Sequence, residues 1–388
     1  MSVVSSPKSA APGQPGRRVI EVSAQDPRWD GFVLTGPDAT VFHHSGWLTA
    51  LAREYGQPPL RLACEEPDGT LSGILPLMAT RGLPLGVGGA STGRRLSSLP
   101  RTPVAGPLAC PAGSPADHEA VLRDLVEAAM ARAGPAGMRL QLKQAGRTLD
   151  GVVPGLRGAP WRTTYVKPLP ADPGQLRFGK SRNHARITWS VRKAQREGLR
   201  VRDAASEGDL RDWYRLYLDV NRWRALPSRP YRLFQAAWES LRPGGYLRLL
   251  LVHQRRSGRE RLLAGSMLLM LGETVFYAFN GRLRDALPLR PNDLLQWQAM
   301  RDAAADGYRW YDFGEVSDGN EGLAGFKSKW DTQARTLIRY HSPPLEHPQA
   351  GYAEPGGQAW PRAAVMAAWR RVPLPVTALA GDLVYRFL

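Results

Sequence analysis

Two spacings of apolar residues divide the chain. Where apolar residues recur every three or four positions, a helix buries one stripe. Where they alternate, or run together for four to eight positions, a strand is indicated. The helical spacing appears at residues 42–55, with Trp47, Leu48, Leu51 and Tyr55 on one face. It appears again at 117–132, with Val121, Leu122, Leu125 and Val126. Residues 61–64 and 71–79 read as strands about a turn at Pro67, Asp68 and Gly69, and 138–143 as a further strand. Ordered structure is expected to begin near Val19. Residues 151–173 are rich in Pro and Gly and hold one strand-like piece, 161–166, so a boundary between two halves is expected at about 168–174.

The second half opens on a basic run. Arg177, Lys180, Arg182, Arg186, Arg192, Lys193, Arg196 and Arg200 face the single acid Glu197. Much of the run is expected to be a helix that Gly198 ends, before a strand at 199–201. An aromatic amphipathic helix follows at 210–221, carrying Trp213, Tyr214, Leu216 and Tyr217, and then a helix at 231–241 opened by Pro230. Three strands are expected at 246–253, 262–271 and 274–280, the last two joined by a short turn at Gly272 and Glu273. A loop through Arg284 and Pro288 leads to a helix at 292–305, stopped by Gly307. A strand at 309–313, a glycine-rich loop, the pair Phe326-Lys327 and a closing strand at 336–340 complete the pattern. The helical crossover from 274–280 to the strand at Tyr311 implies a parallel pair. The expected class is α/β (α+β), with mixed, mostly antiparallel sheets flanked by helices. The expected divisions are a disordered lead-in at 1–18, a first domain at 19–168, a second at 169–345 with the cleft, and an amphipathic tail at 346–388.

Composition adds bounds. At 388 residues the chain is too long for one small core, and its 43% apolar content suffices for two. Twelve tryptophans suit either flat ligands or ordinary packing. The net charge of +17 favours anionic partners such as RNA, a nucleotide-linked sugar or an anionic membrane face, or else reflects a coding bias toward Arg, Ala, Gly and Pro. Two cysteines, Cys64 and Cys110, exclude a disulfide framework, and no Cys/His spacing fits zinc, so no metal site is expected. A reducing compartment is the simplest inference. Residues 1–18 lack the apolar core of a signal peptide, and no stretch reaches the ~18 apolar residues of a membrane span. The expected location is cytoplasmic, or peripheral at the inner face of the cell membrane. The glycine-rich segment 82–93 is a phosphate cradle or an ordinary loop, without the lysine and spacing of a P-loop.

Gly307-Tyr308-Arg309-Trp310-Tyr311-Asp312-Phe313-Gly314, then Gly322-Leu323 and Phe326-Lys327, resembles the signature of the FemAB-like transferases: a strand end G-x-x-x-Y-D-F-G and a downstream G-L-x-x-F-K. Arg192-Lys193-Ala194 with Gly198 resembles that family's basic R-K-A-x-x-x-G segment. Residues 42–56 resemble the first-half helix of a related branch, the GNAT-like proteins of exopolysaccharide synthesis. The order of elements in the second half is similar to the GNAT acyltransferase fold, and the first half is a looser version of it. The resemblance, over about 41–340, implies tandem GNAT-like domains that move an acyl or aminoacyl group onto an amine of a cell-envelope precursor. It implies no tightly bound cofactor. The donor co-substrate it implies is an aminoacyl-tRNA, with a lipid- or nucleotide-linked acceptor, or else an acyl-CoA.

Such a transfer needs a neutral amine, a held carbonyl and a stabilised oxyanion, and no Ser/His/Asp arrangement. Lys327, beside Phe326, either stabilises negative charge on the donor or oxyanion, or is a solvated lysine on a loop. Asp312 accepts the amine proton or binds the acceptor, or it caps the following loop; Glu315 is an alternate base. Gly314, Gly319, Gly322 and Gly325 belong to a loop close to a ligand or to a plain flexible one. Asn280 and Arg282 follow the third strand, where GNAT folds open toward substrate, and Tyr277 lines that cleft or packs in the core. Arg192 and Lys193, with Trp189 as a stacking face, either bind the phosphates of an anionic donor or form a solvated face. GNAT enzymes seat the pyrophosphate of coenzyme A on an Arg/Gln-x-x-Gly-x-Gly/Ala turn. The corresponding residues 288–293 contain no glycine, and Pro291 removes a donor, which favours another donor or a modified pocket. Residues 360–388 are apolar and basic, broken by Pro373 and Pro375, and lie at a membrane interface or fold back on the body.

Overall fold

A computed structural model describes residues 16–82, 94–110, 113–154, 156–256, 258–317, 319–344 and 359–387. The glycine-rich segment 82–93 and the lead-in 1–18 fall almost wholly outside them. The first half comprises β1 (Arg18–Glu21), α1 (Pro27–Thr35), α2 (Ser45–Tyr55), β2 (Leu60–Glu65), β3 (Leu71–Thr80), β4 (Arg95–Ser97), β5 (Leu108–Ala109), α3 (Pro115–Ala133), β6 (Arg139–Gln144) and β7 (Gly158–Pro168). The second half begins with α4 (Ser181–Arg196), β8 (Leu199–Asp203), α5 (Glu207–Trp223) and α6 (Tyr231–Leu241). It continues through β9 (Leu247–Arg256), β10 (Arg259–Leu271), β11 (Thr274–Arg282), α7 (Pro291–Ala305), β12 (Trp310–Val316), α8 (Glu321–Ser328) and β13 (Gln333–Ser342). The tail forms α9 (Ala359–Trp369) and α10 (Leu374–Val384).

The strands join one mixed sheet in the order β1-β2-β3-β4-β6-β13-β7-β12-β11-β10-β9-β8, with β5 beside β3. Two pairs are parallel, β4 with β6 and β11 with β12. Each follows a crossover that contains a helix, α3 or α7, because a chain must cross back over the sheet to pair in the same direction. The two halves therefore repeat one plan. They also exchange strands. β13 pairs with β6 of the first half on one side and with β7 on the other, while β7 pairs with β12. The backbone ladder is continuous between the halves.

Caps explain several helix starts. Ser114 and Asp117 form a capping box at α3, and Ser206 and Asp209 form one at α5. The short α1, with no strong apolar stripe, starts on the Asp26 cap with Pro27 behind it and buries only Trp29 and Val33. Two expectations are corrected. The strand at 309–313 runs on to Val316, and Phe326 and Lys327 stand on a helix, α8, not on a loop. Gly322 and Gly325 lower the local helix propensity, but the Asn320 cap and the packing of Lys327 hold the turn.

Three cores fill the layers. α3 covers the first-half strands, α4 and α7 cover one face of the second half, and α2, α5 and α6 share a large aromatic core on the opposite side. In that aromatic core Trp213 is fully buried and donates Nε1–H to the Gly265 carbonyl at 2.9 Å. Trp29, Trp47 and Trp330 are buried as completely. α5 lies directly on β11, because a Cβ at Gly281 would stand 2.7 Å from the Tyr217 nitrogen. The tail folds back. Thr377 and Gly381 of α10 are buried, and a Cβ at Gly381 would overlap the Ser228 carbonyl. Gly281→Ala is expected to push α5 away from the sheet and to lower stability by about 1–3 kcal/mol, measured by chemical denaturation.

Candidate active site

Residues Thr274, Val275 and Phe276 of β11 pair with Trp310, Tyr311 and Asp312 of β12, and there the pairing ends. Both strands continue, to Arg282 and Val316, so from Tyr277 and Phe313 onward their facing edges are unpaired. On the other side of β12 the register with β7 breaks between Asp312 and Glu315, and Gly314 sits at φ +80°. A glycine accepts that left-handed conformation without Cβ strain. Strands that part this way leave backbone groups that need partners.

Lys327 supplies some of them. Its Nζ donates to the Gly314 carbonyl at 2.8 Å and to the Glu315 carbonyl at 3.1 Å. The residue is 5% exposed, and burial pulls its pKa down to about 8. Asp312 and Glu315 oppose that shift, and Arg224 adds to it. Asp312 is half-buried. Its Oδ1 accepts the Gly314 N–H at 2.7 Å and the Thr164 hydroxyl from β7. Burial raises the Asp312 pKa, opposed by those two bonds and by Lys327 and Arg335. The ammonium has a third N–H and the carboxylate a second oxygen, so each has capacity left after these bonds.

Both groups line one cleft of about 590 Å³. Gly314, Glu315, Phe326, Tyr277, Asn280 and Arg282 line it as well. Asn280 is oriented by its Nδ2 donating to the Ser266 hydroxyl at 3.0 Å, and Glu315 is paired with Arg162. Tyr277 lines the cleft and packs edge-on against Phe313. Asp312 likewise caps the bulge and faces the cleft. The structure places Trp189, Arg192 and Lys193 elsewhere, on α4. Trp189 is 51% exposed with the Lys193 Nζ 5.7 Å from its ring centre, and Arg192 borders a separate shallow groove with Arg196 and Arg200.

The far wall was not anticipated from the sequence. Arg101, Arg224 and Arg229 line it with Phe42, Trp47 and Tyr217. Arg229 is 5% exposed and makes a two-pronged ion pair with the fully buried Glu54, its Nε 2.7 Å from Oε1. Burial lowers its pKa and Glu54 raises it; the raising wins, so the guanidinium stays charged. One signal for this pair was present: Glu54 falls on the apolar stripe of 42–55, seven residues after Trp47, where an acid needs a buried cation. Nothing local marks Arg101 or Arg224. Among the described residues none of Arg101, Arg224 and Arg282 has an acidic partner within ion-pair distance.

At the start of α7, Arg290 is left-handed at φ +63°, Pro291 occupies the first turn, and Asp293 pairs with Lys329. An acid already stands where the helix dipole would attract a phosphate.

Residues 181–328, from α4 to α8, match the family model described as acetyltransferase (GNAT) domain. Among solved structures the chain is similar to FemX, with a TM-score of 0.61, 16% identity, and 83% of this chain and 96% of that one covered. It is similar to L-PGS from Bacillus licheniformis, with a TM-score of 0.54, 11% identity, and 90% and 97% covered. It is also similar to the C-terminal domain of a putative lysylphosphatidylglycerol synthetase from Agrobacterium fabrum, with a TM-score of 0.52, 15% identity, and 84% and 93% covered. No curated protein matches the chain significantly in sequence. At such identities the structural likenesses establish the fold alone. Residues 181–328 thus carry a GNAT acetyltransferase domain, and the fold of the chain as a whole is like that of FemX. Asp312 and Lys327 and the six residues named beside them in the cleft lie inside the matched domain.

Glu54→Gln would leave the Arg229 charge buried without its partner. It is expected to cost about 3–5 kcal/mol in denaturant unfolding, and Glu54→Gln combined with Arg229→Met should recover part of that loss.

Proposed function

We propose that the protein transfers an activated acyl or aminoacyl group onto an amine of a cell-envelope precursor, of peptidoglycan or polysaccharide. The observation that carries this reading is the convergence of Asp312 and Lys327 on one cleft between the parted edges of β11 and β12. The neutral amine attacks the donor carbonyl, and its proton passes to the free oxygen of Asp312, made more basic by burial. The remaining N–H of Lys327 donates to the oxyanion. Collapse of the tetrahedral intermediate forms the amide and breaks the C–O or C–S bond, and the proton held by Asp312 leaves with the departing oxygen or sulfur. Arg101, Arg224 and Arg282 add positive charge to the cleft wall, which suits a phosphate- or carboxylate-bearing substrate. One structural neighbour is titled a putative lysylphosphatidylglycerol synthetase, a name that denotes an aminoacylated lipid, in keeping with an envelope acceptor.

The donor is an aminoacyl-tRNA or another activated ester in this reading. The occupied start of α7 supports it, since a coenzyme A pyrophosphate has no ready seat there. The basic face of α4, with Trp189, offers a surface for the phosphates of such a donor. A second reading, acyl-CoA as donor, rests on the open edges of β11 and β12, which suit an extended amide-bearing arm by strand-like pairing.

Lys327→Ala is expected to lower kcat by about 100-fold or more and, by leaving the Gly314 and Glu315 carbonyls without that donor, to cost about 1–3 kcal/mol of stability while circular dichroism still reports a folded protein. Full turnover would remove the assigned role. Because the Lys327 ammonium titrates at about 8, its share falls as pH rises through that value. kcat/KM should therefore decline on the alkaline side near there, and Lys327→Arg should move the decline upward. Calorimetry with acetyl-CoA and longer thioesters separates the donors: heats of binding at micromolar to millimolar concentration favour the second reading, and their absence favours the first.

A further inference from the structure

The last helix turns three of its large apolar side chains outward. The inward face of α10 carries buried Thr377 and Gly381, with Leu374 and Ala378 packed partly against the aromatic core and Tyr385 buried just past the helix end; this face sits on α5 and on the chain at Ser228. The opposite face carries Val376, Leu379 and Leu383, which are 49%, 70% and 60% exposed. These residues are three and four apart and form one stripe. Val365 on α9 is 67% exposed, and Trp223 and Leu226, where α5 ends, are 42% and 50% exposed. A helix that only closes a soluble core turns such residues inward, so this arrangement has its apolar stripe on the wrong side for packing alone.

The charges of this segment are mostly basic. From 359 to 387 the chain holds Arg362, Arg370, Arg371 and Arg386 against the single acid Asp382. That acid is already engaged by Arg232 and Arg386. Arg370 is anchored, its Nε donating to the Trp223 carbonyl at 2.9 Å with the guanidinium over the Trp223 ring, and Arg371 is exposed at the bend between α9 and α10. An apolar stripe rimmed by arginines fits a surface that is apolar below and anionic at its boundary. Among the described residues no helix is long and apolar enough to cross a membrane, so such a contact would lie in the plane of the bilayer.

We infer that the α9–α10 hairpin docks the protein on an anionic lipid surface, with Leu379 and Leu383 entering the headgroup–acyl boundary and the arginines meeting the headgroups. The same helix touches the cleft wall: Tyr385 lies beneath Arg101 and Arg229, with ring centres 5.0 and 5.9 Å from the guanidinium carbons. Docking through α10 therefore sets that wall beside the bilayer. The inference is independent of which acyl group is transferred.

The test is co-sedimentation of the full chain with vesicles of phosphatidylcholine alone and of phosphatidylcholine with about 30% phosphatidylglycerol. Binding to the anionic vesicles is expected to be about 10- to 100-fold tighter than to the neutral ones and to weaken with salt. Leu379→Glu with Leu383→Glu should weaken it by about 10-fold or more without changing the melting temperature, since both side chains are exposed. Arg371→Ala should give a smaller loss confined to the anionic vesicles. Absence of binding, or binding that the double variant leaves intact, overturns the inference. So does a concentration-dependent doubling of mass by light scattering that the double variant abolishes while vesicle binding is absent, since that assigns the stripe to a second copy of this chain.

Discussion

Beyond Phe276 and Asp312 the neighbouring strands β11 and β12 part, and the free edges they leave are why the molecule has a cleft at this point in its sheet. Parting two strands exposes amides and carbonyls that a ladder would otherwise satisfy. The Lys327 ammonium takes two of those carbonyls, at Gly314 and Glu315, from a helix on the far side of the bulge. The burial that this bond requires lowers its pKa to about 8. Holding the gap open and placing a titratable donor inside it are one interaction.

The cleft belongs to both halves of the chain. Thr164, which bonds Asp312, lies on β7, and β7 reaches β12 because β13 has crossed to the first half and lies between β6 and β7. Glu54, which fixes the Arg229 charge in the cleft wall, comes from α2. A backbone ladder and a buried ion pair thus tie the two repeats on opposite sides of the site, so neither half carries the whole site. The back-folded tail reaches the same wall through Tyr385.

Most of the elements were legible because their signals are local. The 3.6-residue stripes of α2, α3, α5 and α6, the glycines after α4 and α7, and the Gly272 turn all act within a few residues. α1, β4 and β5 were not read, since each is short and held chiefly by neighbours distant in sequence. The site was half legible. The Tyr-Asp-Phe-Gly strand end and the Phe-Lys pair carry a recognisable pattern, whereas Arg101 and Arg224 carry none.

The sequence by itself determined the order of strands and helices, the crossover that makes β11 and β12 parallel, and the residue types available for the chemistry. Those rest on periodicity and steric rules that operate over one turn or one hairpin. Only the tertiary structure decided that β7 and β13 would change places, that Lys327 would leave water for two backbone carbonyls, and that three large apolar side chains of α10 would face outward. Each of those depends on which surfaces meet across tens to hundreds of residues, and burial and electrostatics between distant segments leave no repeat in the chain for a reader to find.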